Sequence, residues 1–154
     1  MSDGYELDLN YEIDGPEDAR RMYDGWAKTY DDSFTAAWGY IAPREIARIY
    51  LAEAEGNEPV LDIGAGTGEV AHHLGALIVD GIDISPEMLA RAKEKRLYRS
   101  RIIGDLTQTL EFSDGSYGGV ISCGTFTHGH VGPVCLPELL RVTRPGALFV
   151  CGTI

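Results

Sequence analysis

The chain has 154 residues, 44% of them hydrophobic, which suits one globular domain with its own core and is too short for two typical ones. A formal charge of -11 argues against a nucleic-acid partner, because binding to a polyphosphate relies on clustered lysine and arginine. No apolar run approaches the roughly 20 residues of a membrane helix, and the acidic N-terminus lacks the basic-then-apolar layout of a signal peptide, so no membrane partner is expected.

Seven of the 24 acidic residues precede Arg20, and residues 1–15 read as an acidic, partly disordered leader to a single domain over 16–154. Gly15-Pro16-Glu17-Asp18 is a helix start, with proline at the first helical position and acids at the positive end of the macrodipole. The helix is expected to run to about Tyr30, with Tyr23, Trp26, Ala27 and Tyr30 sharing one face. Pro43 opens a second helix, ending near Gly56-Asn57, whose inward residues are expected to be Ile46, Ile49 and Tyr50. Next comes LDIGAGTGEVA, residues 61–71, which reads as a strand, a tight turn and a helix. Its three glycines allow positive φ and close approach of a ligand to the backbone.

Beyond the glycines, short apolar runs alternate with helical segments. Residues 77–83 read as a strand, and Ser85-Pro86 caps a helix to about Arg96. Residues 101–104 and 119–123 read as strands, 136–143 as a helix, and 147–154 as a fifth strand. This alternation is the pattern of parallel βαβ units. The right-handed crossover rule winds them into a doubly wound, mostly parallel Rossmann-like sheet of order 3-2-1-4-5 with N-terminal helices. Three cysteines without C-x-x-C spacing fit a reducing cytoplasm; Cys123 and Cys151, in apolar runs, are expected to be buried and inert.

In such a sheet, ligands sit beyond the carboxyl ends of the strands. Asp62, Asp83, Asp105 and the tract from Thr125 to His130 all fall there. The dinucleotide fingerprint G-x-G-x-x-G would need its last glycine where Glu69 stands, which points away from NAD. Asp83 follows Gly66 at the spacing of an acid that accepts from free ribose hydroxyls. His128 and His130 could supply a general base, because imidazole titrates near neutral pH, and His128 is the catalytic candidate. No third ligand stands at metal-binding spacing, so no metal is expected. His72-His73 reads as structural.

These segments resemble the class I S-adenosylmethionine (SAM)-dependent methyltransferases: LDIGAGTG their first motif, DGIDISPEMLARA the second, IIGDLTQ the third, and LLRVTRPGALFV the helix and strand that follow. YDGWAKTYDDS and CGTFTHGHVGPVCLPELLRVTRPG are further similar to the methyltransferase-like proteins of the Williams–Beuren critical region type and their bacterial relatives. The resemblance implies SAM as cofactor and S-adenosylhomocysteine (SAH) as product. It implies that Asp62, Gly64, Ala65, Gly66 and Gly68 line the methionine and ribose part. Asp83 would take the ribose hydroxyls, with Ile84 and Met88 against the adenine. Asp105, flanked by Gly104 and Leu106, would accept from the adenine amino group, and Cys123 and Gly124 would face the sulfonium. Tyr23, Trp26 and Tyr30 would form a lid, the alternative being an aromatic stripe packed on the sheet.

The implied activity is in-line methyl transfer to a small-molecule acceptor. A non-catalytic SAM-binding module is the first alternative and an NAD-dependent oxidoreductase the second. The tract after strand four lacks the signature with which DNA amino-methyltransferases hold an extruded base. The chain also ends on the fifth strand, where class I enzymes continue through a helix and an antiparallel hairpin. An apolar edge at 147–154 is therefore expected, with a shortened chain, a homodimer through that edge and a pared-down relative all open.

Overall fold

The structure, a computed structural model, describes residues 15–26, 41–126 and 131–152. Helix α1 covers Pro16–Trp26, with Glu17 and Asp18 in its first turn, and Ala19 N–H closes that turn on Gly15 C=O at 3.2 Å. Helix α2 covers Ala42–Glu53 and buries Pro43, Ile46, Ala47 and Tyr50. Ala47, not Ile49, belongs to this inward stripe; Ile49 is exposed, because 43, 46, 47 and 50 are the positions that stack at helical spacing.

Five parallel strands follow: β1 Val60–Ile63, β2 Val79–Asp83, β3 Ser100–Ile103, β4 Tyr117–Cys123 and β5 Thr143–Gly152. Their order is β3-β2-β1-β4-β5, as expected. β1 and β2 are buried along their whole length, as strands covered on both faces should be. One face packs Val60 and Ile121 under Tyr50 and Tyr98; the other packs Leu61, Ile63 and Val120 against Leu139 and Val142. Helix α3, Pro86–Lys95, starts at Ser85, whose Oγ accepts from Met88 N–H at 3.2 Å. It stops at Arg96 in the left-handed region. Helix α4, Leu136–Val142, follows a short 3-10 turn at Pro133–Cys135.

Two local expectations need correction. The helix after the glycines is only a 3-10 turn, Ala71–His73, which Gly75 at φ 66° brings to an end. Strand β5 begins at Thr143, before Pro145-Gly146, and a register shift between Tyr117 and Gly119 takes up the turn. As an edge strand it is only half-covered, and Cys151 is exposed rather than buried. No helix among the described residues is long and apolar enough to cross a membrane.

Candidate cofactor site

Strand β2 carries an aspartate near each end, and their surroundings differ. At the N-terminal end Asp80 is held by Arg99 Nε at 3.0 Å and Nη2 at 2.7 Å, with Tyr117 Oη at 2.8 Å. Burial pushes its carboxyl up, but the Arg99 fork and the Tyr117 hydroxyl outweigh that and leave it below the usual range. At the C-terminal end Asp83 has no cation against it among the described residues. Its Oδ2 accepts from Gly66 N–H at 2.8 Å and its Oδ1 from Ser85 N–H at 2.9 Å. Burial raises its pKa despite those bonds. A buried carboxylate bonded only to backbone amides, at the ligand end of the sheet, fits recognition; a fully paired one fits structure.

Asp83 opens into a crevice at the carboxyl end of the sheet, the place where small-molecule sites form in such folds. The crevice lies where the strand order reverses between β1 and β4. Gly64 and Gly66 supply one wall, Ile84 and Met88 another, and Gly104, Asp105 and Leu106 a third. Cys123 and Gly124 close it from β4. Asp105 Oδ1 is taken up by Thr107, through N–H at 2.8 Å and Oγ1 at 2.6 Å, which fixes the Gly-Asp-Leu turn. A Cβ on Gly66 would meet nothing closer than 4.0 Å, so a side chain there would stand in the crevice itself.

Asp62 and Ala65 line a smaller pocket behind the glycine turn, with Pro43 and Thr67; Gly64, Gly66 and Cys123 border both spaces. Gly68 lines neither. A Cβ there would run into Leu97 Cδ1 at 2.9 Å and approach Tyr98, so this glycine makes room for packing, not for a ligand. Tyr23 and Trp26 lie on the backbone of α1, but their side chains are outside the described residues, as are Tyr30, His128 and His130 entirely.

Sequence reasoning passed over several wall residues. Pro16 and Ala19 bring α1 to the mouth of the crevice, and Val131 borders it from beyond β4. Asp24 accepts a hydrogen bond from Ser85 Oγ and so ties α1 to the start of α3. Thr125 lines the crevice and donates to Ile63 C=O at 2.9 Å across the glycine turn. Hydroxyl and acidic residues beside known turn positions were the available signal; their partners 61 and 62 residues away were not legible.

The profile of the methyltransferase-domain family matches residues 61–151. The chain belongs to the class I SAM-dependent methyltransferases. Methyltransferase-like protein 27 of Homo sapiens is 37% identical over 148 residues, covering 90% of this chain and 59% of that protein. A demethylmenaquinone methyltransferase of Beutenbergia cavernae is 35% identical over 142 residues, covering 88% of this chain and 57% of that protein. Among solved structures, DhpI in complex with SAH superposes with a TM-score of 0.67 at 26% identity, over 86% of this chain and 66% of that one. This methyltransferase domain thus spans a little under 60% of the length of those curated relatives.

The crevice fits the family's cofactor. A nucleoside with free hydroxyls and no phosphate suits a cavity whose charged lining residues, among those described, are Asp83 and Asp105, with no lysine or arginine.

Asp62 gives the methyltransferase domain a measurable pH dependence. Burial raises its carboxyl to about 8; the Tyr98 hydrogen bond lowers it and the nearby Asp83 charge raises it further. In the unfolded chain the same group titrates near 3.9. Between about pH 4 and pH 8 the native state therefore holds a proton the unfolded state has lost, and stability from this group falls as pH rises through that window. We expect Asp62→Asn to flatten the decline in melting temperature between pH 6 and pH 9. A decline as steep as in the parent chain would assign it to another group.

Proposed function

We propose that this chain binds SAM and transfers its methyl group in line to a small-molecule acceptor. The observation that carries this reading is the convergence of Asp83, the open glycine backbone at 64 and 66, and the Gly104-Asp105-Leu106 turn on one crevice. When bound, SAM supplies a methyl group already activated by its sulfonium. The protein's task is then placement and exclusion of water. Asp83 holds the ribose hydroxyls and is itself held by Gly66 and Ser85 N–H, so its two oxygens are preset. Ile84, Met88 and Leu106 supply apolar surface for the adenine, and Asp105 stands at its edge. Cys123 and Gly124 lie at the end of β4, beside the space where an acceptor would approach.

A small-molecule acceptor is supported by the relative named for demethylmenaquinone and by the acidic charge, which disfavours nucleic acid. The free thiols of Cys135 and Cys151 support a reducing, cytoplasmic setting.

The cofactor reading has a direct thermal test. At a hundredfold excess over its Kd, a ligand stabilises by about 2.7 kcal/mol. For a domain of this size that corresponds to a melting shift of roughly 5–10 °C. SAM and SAH should produce it and NADH should not. No shift with SAM and SAH at millimolar concentration would remove the cofactor, and a shift with NADH alone would revive the oxidoreductase alternative.

A further inference from the structure

We infer that Asp24 of α1 is a positioning residue of the cofactor site: it fixes the Ser85 hydroxyl, and through it keeps Asp83 open to the ribose and Met88 in place against the adenine. The inference rests on the SAM reading and adds to it a residue that does not line the crevice. Ser85 is fully buried and stands between two carboxyl groups, each served by a different donor. Its N–H goes to Asp83 Oδ1 at 2.9 Å, and its hydroxyl goes to Asp24 Oδ1. Its Oγ also accepts from Met88 N–H at 3.2 Å, which caps α3. The other Asp24 oxygen lies 3.8 Å from Arg20 Nε, one helical turn earlier, so the carboxylate is held from both sides.

A serine hydroxyl carries one proton, and a carboxylate is its strongest acceptor. With that proton given to Asp24, Ser85 cannot donate it to Asp83. The bonds to Asp83 then come from Gly66 and Ser85 N–H, and its remaining acceptor capacity is left to a ligand in the crevice. The same bond stops the hydroxyl from turning, so the Oγ lone pair stays on Met88 N–H and Met88 stays in the crevice wall. Asp24 and Asp83 are close enough for the Asp24 charge to add to burial in raising the Asp83 pKa. Loss of the Asp24 acceptor therefore frees the hydroxyl proton beside the carboxylate that a ribose needs, and the two donors compete for it.

The test compares SAH with its 2′-deoxy analogue, S-(2′-deoxyadenosyl)homocysteine, by calorimetry on the intact chain. The parent chain should prefer SAH by about tenfold, the effect of one hydrogen bond to a charged acceptor. Asp24→Ala should weaken SAH about tenfold and the deoxy analogue about threefold, so that the preference falls to about threefold. Asp24→Asn keeps an oxygen that accepts from the Ser85 hydroxyl, and should hold both affinities within about twofold of the parent. Ser85→Ala removes the cap and the competing proton together. It should weaken both ligands equally and retain the tenfold preference, and adding Asp24→Ala to it should leave that preference unchanged.

Equal weakening of both ligands by Asp24→Ala would confine Asp24 to holding α1 in place. A loss in Asp24→Asn as large as in Asp24→Ala would assign the effect to charge and not to the bond with Ser85. Either result overturns the proposal. Should Asp24→Ala not fold, Asp24→Leu, a strong helix former without an acceptor, takes its place in the same comparison. A parent chain that binds SAH and its deoxy analogue equally would end the ribose role of Asp83 and this proposal with it. Failure of both ligands to bind the parent chain would instead remove the SAM reading beneath them.

Discussion

Asp83→Asn should abolish tight SAH binding while leaving a folded protein. Both Asp83 oxygens already accept from backbone N–H groups, one on each side of the site. An asparagine offers one acceptor oxygen, so its amide nitrogen must confront either Gly66 or Ser85 N–H. It also removes the negative charge that strengthens hydrogen bonds from two ribose hydroxyls. Hydrogen bonds to a charged partner contribute about 1.5–3 kcal/mol each, so losing the charge should cost roughly 3 kcal/mol, or about a hundredfold in affinity.

Stability responds to opposing effects. One backbone hydrogen bond is lost, about 1 kcal/mol, but a buried carboxylate whose pKa is raised by burial no longer has to ionise near the Asp24 charge. The melting temperature at pH 7 should therefore move by only a few degrees. Calorimetric SAH binding within threefold of the parent chain would end the ribose assignment.

The sheet order and the ligand end of the sheet were legible because both follow from local signals. Apolar runs of strand length alternate with helical segments, and each notable acid stands at or just beyond the carboxyl end of a strand. The Asp83 position could be read from its spacing to Gly66 alone. Gly68 could not, because what it makes room for, Tyr98, is 30 residues further on and carries no motif. Nor does an apolar run reveal which strand will be an edge, so Cys151 read as buried when its side chain is exposed. The stripe on α2 went wrong by one step for a related reason: Ile49 is the more hydrophobic residue, but its direction on the helix is fixed by Pro43, Ile46 and Tyr50, and small Ala47 takes the inward place. Pattern reading ranks residues by hydrophobicity, whereas packing ranks them by direction.

Gly64 and Gly66 look alike in the sequence, and both have positive φ, 63° and 56°. Alanine at the two positions should nevertheless fail in different ways. At Gly64 the new Cβ overlaps Thr125 Oγ1 and approaches Thr125 Cβ at 3.3 Å. The hydroxyl must turn away and give up its bond to Ile63 C=O. Left-handed strain of about 1–2 kcal/mol, overpacking of about 1–3 kcal/mol and the lost hydrogen bond together should cost roughly 4 kcal/mol, a large share of a typical domain's stability. A melting decrease of about 10 °C should accompany Gly64→Ala.

At Gly66 the Cβ enters open space, so only the left-handed strain applies to folding, while the methyl group takes volume from the crevice. Gly66→Ala should stay folded and bind SAH at least tenfold more weakly. A double-mutant cycle separates the causes, since Thr125→Ala removes the overlapping oxygen. Combined with Gly64→Ala it should recover about 1–2 kcal/mol relative to the sum of the single changes. Simple additivity would mean that the backbone conformation, and not the approach of Thr125, is what requires glycine at 64.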